Sequence, residues 1–259
     1  MSGQAEHRSR LARSAVPVAL GLVGFVVLWQ LVVFVGHYPD YILPGPLTVL
    51  DRFATAWTDG TMAPEVAATL QEIVLGFFFG AGIGLAAGYA LARSRVVGLV
   101  LSPYLVAAQS TPILALAPLL ILWFGPGLLS KIVICSLIVF FPVAVSTAVG
   151  FRSVDRRLLE LGRSPRATPR QILMTLEIPA AMPSIMGGIR VGVTLAVVGA
   201  VVAEWVSPES GLGVLINLAR GSLFDIPLMF AALLMLALVG VGLYGLAVLV
   251  ERWLVGDRG

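Results

Sequence analysis

The sequence has very few of the side chains on which most catalytic and metal sites depend. It contains one cysteine, Cys135, and two histidines, His7 and His37, in 259 residues. A single cysteine excludes an intramolecular disulfide and a cysteine-based zinc site, and its place in an apolar run favours a small buried residue. Both histidines lie outside the apolar runs, which excludes an intramembrane serine and histidine pair, and the HExxH metal motif does not occur.

Charge is also scarce in this chain. Only 12% of the residues are charged and 58% are hydrophobic, with a mean hydropathy of +0.97, whereas soluble domains are about one quarter charged. The chain is therefore predicted to be a polytopic membrane protein. No Walker A sequence occurs, so the chain is not expected to hold and hydrolyse ATP itself.

Apolar runs long enough to cross a bilayer recur along the chain, since a transmembrane helix needs about 20 residues. We predict one all-α integral membrane domain over 16–250, with a tail of residues 1–15 before it and a tail of residues 251–259 after it. The first run also fits a cleavable signal, but its length and the lack of a small-residue cleavage site favour a retained anchor. The six predicted transmembrane helices are 16–35, 70–91, 97–124, 132–150, 185–206 and 227–250.

Arginine residues predict the orientation of these helices. Placing both termini in the cytoplasm leaves only Arg52, Lys131 and Arg220 outside and puts Arg190 near the inner boundary, which satisfies the positive-inside rule. The net charge of +3 is then explained by topology, and nucleic-acid binding is not expected. Arginines predicted to lie inside are Arg8, Arg10, Arg13, Arg93, Arg95, Arg152, Arg156, Arg157, Arg163, Arg166, Arg170, Arg252 and Arg258.

Glycine recurs every four residues in the second predicted helix, at Gly76, Gly80, Gly84 and Gly88. Such a stripe lets another helix backbone approach closely, so it predicts helix packing. The overlapping GxGxxA pattern that starts at Gly82 matches a dinucleotide-binding motif, but it lies inside an apolar helix with no preceding soluble strand. Nucleotide binding is therefore rejected.

Polar and helix-breaking residues inside predicted helices are costly in lipid and commonly mark a pathway. Two interpretations stay open for the interruption of the third helix: it lines a route for a polar solute, or it is a proline kink whose carbonyls bond to nearby hydroxyls. Glu204 is either a gating or pairing carboxylate, or an interfacial residue beside Trp205, and we favour the second interpretation. The candidate pathway residues are Gln109, Ser110, Thr111, Pro112, Ser146 and Glu204.

One charged segment, Ser153 to Arg190, interrupts the apolar runs. Six of the 17 basic residues fall between Arg152 and Arg170. Thr168 and Gln171 match a capping box, with a proline at the first helical position, so a short helix is predicted from Pro169 to about Glu177. A second short amphipathic piece precedes it. The cytoplasmic loop 152–184 is therefore predicted to dock onto a soluble partner.

Several short motifs occur in a fixed order along nearly the whole chain. They are Leu43–Pro46, Ser102 and Pro103 with Pro112, Ala117–Gly125, Ile178–Pro183, Gly188–Arg190, Ala203 and Glu204, Gly211–Gly213, and Glu251 with Arg252. Together they resemble the permease subunit of binding-protein-dependent ABC importers, close to the nitrate, sulfonate and taurine class. That class also includes importers of thiamine-precursor pyrimidines and of riboflavin.

The resemblance implies a type I ABC importer permease fold with a cytoplasmic coupling-helix loop, in the inner membrane. It implies three partners: a pair of ATP-binding subunits, an extracytoplasmic solute-binding protein and a second permease copy, most simply an identical one. ATP would be bound by the partner subunit, and the chain itself would hold no cofactor and no metal and catalyse no reaction. The residues that would contact the ATP-binding subunit are Leu158, Leu159, Glu160, Gly162, Arg166, Ala167, Gln171 and Ile172.

The coupling motif of this class, Glu-Ala-Ala followed after three residues by Gly, falls on Glu160, Leu161, Gly162 and Arg166. Only the glutamate is kept. An arginine where a turn glycine is usual costs about 1 kcal/mol or more if the backbone is left-handed there. Either Pro165 has reshaped the turn, or the coupling is adapted to an atypical ATPase.

The transported solute is expected to be small and polar or anionic, such as a sulfonate, taurine, nitrate, a pyrimidine vitamin precursor or riboflavin. The main alternative is an ion-coupled secondary transporter. Such proteins commonly contain repeated halves, and residues 16–124 and 130–250 show no convincing repeat.

Overall fold

The computed structural model describes residues 2–155 and 168–255. Most of the predicted coupling residues lie outside these ranges, and the side chains of Gln109 and Ser110 are also outside the description although their backbone is helical. The coupling residues outside the described ranges are Leu158, Leu159, Glu160, Gly162, Arg166 and Ala167.

Helices make up the regular structure of the described chain. The first six are α1 (Ser2–Gly36), α2 (Pro46–Thr58), α3 (Met62–Arg93), α4 (Arg95–Ser110), α5 (Ile113–Phe124) and α6 (Leu128–Arg152). After the undescribed segment come α7 (Pro169–Ile172), a π-helical turn (Leu173–Glu177), α8 (Ile178–Val206), α9 (Leu212–Gly221) and α10 (Ile226–Val255). The all-α prediction is confirmed.

Five helical stretches within the described ranges are long and apolar enough to cross a membrane. The third predicted helix, 97–124, is not continuous: it is divided into α4 and α5. Thr111 is extended, with φ −84° and ψ 122°, because the residue before a proline is disfavoured in the helical region. The five stretches are Ala19–Gly36, Met62–Arg93, Leu128–Arg152, Pro169–Val206 and Ile226–Leu254.

The chain forms two compact units, and the first comprises Met1–Thr61 with Ile216–Ala232. In it, the Trp29 ring stacks on Phe230 with centroids 5.8 Å apart, and Trp29 Nε1 donates to the Pro44 carbonyl at 3.1 Å. Arg52 pairs with Asp225 at 2.7 Å. These contacts join residues that are distant in sequence and so define the unit.

The second unit comprises Met62–Leu215 and Leu233–Gly259, and its centre is the packing of α3, α6 and α8. The predicted glycine stripe is the contact face of α3. A Cβ atom on Gly76 or Gly80 would lie only 2.5 Å from Cys135 Cβ or from the Ser136 carbonyl oxygen. This confirms that the stripe serves close helix packing, and Cys135, 0% exposed, is the predicted buried apolar residue.

Helix α8 also approaches α6 closely through glycines, and it shares the contact residue Cys135 with α3. A Cβ atom on Gly188 would lie 2.5 Å from Ser146 Cβ, and one on Gly199 would lie 3.0 Å from Cys135 Cα. The order of these contacts shows that α8 runs antiparallel to α6. Small residues on α3 and α8 therefore allow both helices to pack closely on α6 around one shared core.

Candidate functional site

The described part of the charged segment begins with the predicted capping box. Gln171 N–H donates to Thr168 Oγ1 at 3.3 Å, and Thr168 N–H donates to Gln171 Oε1 at 2.8 Å. Pro169 occupies the first helical position. Of the predicted coupling residues described here, Gln171 is exposed and Ile172 is half-buried. The start of the helix is therefore confirmed, together with its physical cause.

The predicted end of this short helix near Glu177 is wrong. The helix continues through the π-helical turn into α8, so one helical stretch runs from Pro169 to Val206. Ile178 N–H donates to the Leu173 carbonyl five residues earlier. A proline inside an α-helix removes one hydrogen bond and clashes with the carbonyl four residues before it, and the wider turn just before Pro179 accommodates this.

An ion pair joins the end of α3 to this π-helical turn. Arg93, the last residue of α3, pairs with Glu177 at 3.2 Å, with side chains 58% and 9% exposed respectively. Arg152, at the end of α6, donates to the Leu91 carbonyl at 2.8 Å. The ends of α3, α6 and α8 are therefore joined beside the segment predicted to couple to a partner.

The predicted pathway residues Thr111 and Pro112 lie together at the break between α4 and α5, and both are exposed. Thr111 Oγ1 donates to the Ala107 carbonyl at 3.2 Å, which satisfies one carbonyl that the broken helix leaves free. One side of α5 packs through Ala117 and Leu120 in a buried cluster. The break thus presents a hydroxyl and an interrupted backbone on an exposed surface.

Ser146 lies elsewhere, at the contact between α6 and α8. Its backbone carbonyl accepts a hydrogen bond from Ser184 Oγ at 3.0 Å, and Gly188 packs against its side chain. The structure does not bring Ser146 to the break at Thr111, and its place on a pathway stays a prediction.

The interpretation of Glu204 as an interfacial residue is wrong. Glu204 is 0% exposed, Oε1 accepts a hydrogen bond from Thr69 Oγ1 at 2.5 Å, and Oε2 accepts one from Gly213 N–H. The carboxylate is thus a pairing group, the other interpretation considered from the sequence. Both carboxylate oxygens accept hydrogen bonds within the chain, and the place of Glu204 on a pathway stays a prediction.

These contacts cap the first turn of α9 with side chains from distant helices. The first amides of a helix have no partner within it, and here three consecutive amides are satisfied from outside. Gly211 N–H donates to Glu65, Leu212 N–H to Thr69 Oγ1 at 2.8 Å, and Gly213 N–H to Glu204. Gly211 has φ 121°, a conformation that glycine adopts at no steric cost.

Lys131 completes this buried network from α6. Its Nζ donates to Glu72 Oε1 at 2.8 Å and to the Ser210 carbonyl at 2.7 Å. The Lys131 and Glu72 side chains are each 2% exposed. An ion pair removed from water in this way needs further hydrogen bonds to offset the lost hydration, and the Ser210 carbonyl provides one.

Sequence reasoning missed most of this network. The charge pattern predicts the side of the membrane on which Lys131 lies, but it does not predict that Lys131 is buried in the first turn of α6. The second helix was predicted to begin at residue 70, but α3 begins at Met62. A signal was present in the sequence: Glu65, Thr69 and Glu72 are spaced four and three residues apart, so they lie on one face of the longer helix.

Comparisons with known proteins agree with the predicted class. The family model for binding-protein-dependent transport system inner membrane components matches residues 80–256 of this chain. The riboflavin transport system permease protein RibX of Chloroflexus aurantiacus is 45% identical over 92% of this chain and 88% of its own length. The formylaminopyrimidine transport permease protein ThiX of Halalkalibacterium halodurans is 33% identical over 83% of this chain and 85% of its own length.

A solved structure shares the fold. An inward-facing conformation of the MetNI methionine ABC transporter contains a chain that superposes with a TM-score of 0.65 at 21% identity, over 73% of this chain and 94% of that one. The model match, the relatives and the fold lead to the same conclusion. The chain belongs to the family of binding-protein-dependent transport system inner membrane components, the permease subunits of ABC importers.

Proposed function

We propose that this chain is the permease subunit of an ATP-driven importer for riboflavin or a closely similar vitamin. The observation that carries this proposal is the 45% identity to a riboflavin permease over 92% of the chain. The chain supplies the route through the membrane. ATP is hydrolysed on a separate subunit, and this chain holds no cofactor.

The docking surface for the ATP-binding subunit is the coupling segment before α8. Its last part, 169–177, continues without a break into α8, so a force on the segment acts directly on the helix bundle. The distribution of arginines supports an orientation with the loop 152–184 and both termini in the cytoplasm. A second copy of the chain completes the pathway, and an external binding protein delivers the solute.

The docking surface is tested by replacing Leu158, Leu159 and Glu160 together with alanine. We expect less ATP-binding subunit to co-purify with the variant, while the amount of chain inserted in the membrane stays the same. Thr194→Val is a suitable control because its hydroxyl donates only to carbonyls of α8 within the described contacts. Equal co-purification of the triple variant and the wild type would place the dock elsewhere.

The route for the solute includes the break at Thr111 and Pro112, where a hydroxyl and irregular backbone lie between α4 and α5. Irregular backbone at membrane depth is tolerated where it is buried in protein or lines a water-filled cavity. The exposure of Thr111 and Pro112 in the single chain supports the second of these conditions.

Uptake by the reconstituted complex tests the transport reaction and the solute together. The permease, its ATP-binding subunit and its binding protein are placed in proteoliposomes, and labelled riboflavin and labelled taurine are offered separately. We expect uptake of riboflavin that requires ATP and the binding protein. Uptake of taurine alone would replace the vitamin with a sulfonate, and uptake that persists without the ATP-binding subunit would favour the ion-coupled alternative.

A further inference from the structure

The π-helical turn Leu173–Glu177 is the point at which the coupling segment joins the helix bundle. π-helical turns are rare and often occur at functional sites. This turn follows the capped helix α7 and precedes α8 without a break. Its last residue, Glu177, has a side chain only 9% exposed. The turn therefore places a buried carboxylate between the coupling segment and the packed helices α3, α6 and α8.

The buried charge of Glu177 is paired across to another helix. Its Oε1 accepts from Arg93 Nη1 at 3.2 Å, and Arg93 is the last residue of α3. The same end of α3 is attached to α6, because Arg152 donates to the Leu91 carbonyl and the Tyr89 ring meets Phe151 edge to face at 5.0 Å.

Through these connections, a displacement of the coupling segment can reach the helix bundle by two routes. It passes into α8 through the continuous helix, and it passes into α3 through the Arg93 and Glu177 ion pair. Further along, α3 is packed tightly on α6 by its glycine stripe. A well-packed helix pair moves as one body, because close-packed interiors transmit strain with little deformation.

We infer that the Arg93 and Glu177 ion pair transmits movement of the coupling segment to α3, which makes both residues positioning residues for transport. The inference rests on the proposed role of the segment as the dock for the ATP-binding subunit. When the pair is lost, ATP hydrolysis continues, but the end of α3 follows α8 only through the packing of both helices on α6, and less solute crosses for each ATP consumed.

The test measures the number of solute molecules transported per ATP hydrolysed, in the reconstituted complex with its binding protein. The variants are Glu177→Gln, Arg93→Gln and the double substitution. We expect each single substitution to lower the ratio about two- to fivefold, the range set by a partly exposed ion pair. The double variant should be no lower than either single variant, because both remove one shared interaction.

Glu251→Gln is the matched control. Glu251 pairs with Arg190 of α8 at the same distance, 3.2 Å, with side chains 20% and 35% exposed, but this pair joins α8 to α10 and not to α3. We expect the control to leave the transport ratio unchanged. Co-purification of the ATP-binding subunit should be unchanged in all variants.

A transport ratio in Glu177→Gln equal to that of the wild type would overturn the inference. Effects of the two single substitutions that multiply in the double variant would also overturn it, and so would loss of the ATP-binding subunit from Glu177→Gln. A wild-type complex without ATP-dependent uptake would instead refute the proposed function, so the two failures are distinguishable.

Discussion

Replacing Lys131 with methionine is the most demanding test of the buried network. Methionine has a similar length but no charge, so the substitution removes the donor to Glu72 Oε1 and to the Ser210 carbonyl. Glu72 Oε2 has no hydrogen-bond partner among the described contacts. The carboxylate is 2% exposed, so water does not replace the lost ammonium.

The expected loss of stability is large because the partner is left behind. Removing one member of a buried ion pair costs about 3–5 kcal/mol, and a buried carbonyl left without its donor costs about 1–3 kcal/mol. These costs overlap, and we expect Lys131→Met to lower the free energy of unfolding by about 4 kcal/mol. That is a large part of the roughly 5–15 kcal/mol that a folded domain has.

Removing both charges should restore most of this loss. In Lys131→Met with Glu72→Leu, no unpaired charge of this pair stays buried, and apolar replacement of a buried ion pair is often close to neutral. The Ser210 carbonyl still lacks its donor. Glu204 also loses the attraction of Lys131, so we expect the double variant to be more stable than Lys131→Met but less stable than the wild type.

Reversible unfolding of the purified chain in mixed micelles measures these differences, with helix content followed by circular dichroism. Glu251→Gln serves as the control, since breaking its half-exposed pair should cost less than about 1 kcal/mol. A loss below about 1 kcal/mol in Lys131→Met would refute the assigned ion pair. A double variant less stable than Lys131→Met would refute the argument from unpaired buried charge.

Three further predictions concern single positions. Gly80→Ala should lower the free energy of unfolding by about 1–3 kcal/mol, because the new Cβ would lie 2.5 Å from the Ser136 carbonyl oxygen. The control Gly82→Ala, whose Cβ would have no atom within 4 Å, should leave the free energy of unfolding close to that of the wild type in the same micelle assay. Thr168→Ala should remove a helix cap worth about 1 kcal/mol and lower the affinity for the ATP-binding subunit about fivefold in a binding titration. Pro112→Ala should let Thr111 return to the helical region and slow solute uptake several-fold at unchanged expression. An uptake rate equal to that of the wild type would contradict the proposed role of the break in the solute route.

Patterns confined to one helix were predictable from the sequence. The glycine stripe has the spacing of one helix face, so its use in packing follows from helical geometry alone. The Thr168 and Gln171 capping box is likewise local, because the interacting groups are three residues apart. The proline-containing middle of 97–124 marked the place of the break, although the division into two short helices appears only in the structure.

The buried network was not predictable in the same way. Lys131 and Glu72 are 59 residues apart, and Glu204 and Thr69 are 135 residues apart. Each residue taken alone fits an ordinary position near the end of an apolar run. Each buried charge is stabilised by a partner on another helix. That partner depends on how α3, α6 and α8 pack, which cannot be read from local patterns in the sequence.

The sequence by itself determined that the chain is an α-helical membrane protein, and its ordered motifs determined the family, because hydropathy, helix periodicity and short motifs are properties of neighbouring residues. The tertiary structure alone decided that Glu204 is a buried cap and that Lys131 is an interior cation. It also decided that the coupling segment continues into α8 and is tied to α3 by Arg93 and Glu177. Those features depend on which side chains meet across helices, and burial then determines whether a charge is a surface residue or a structural partner.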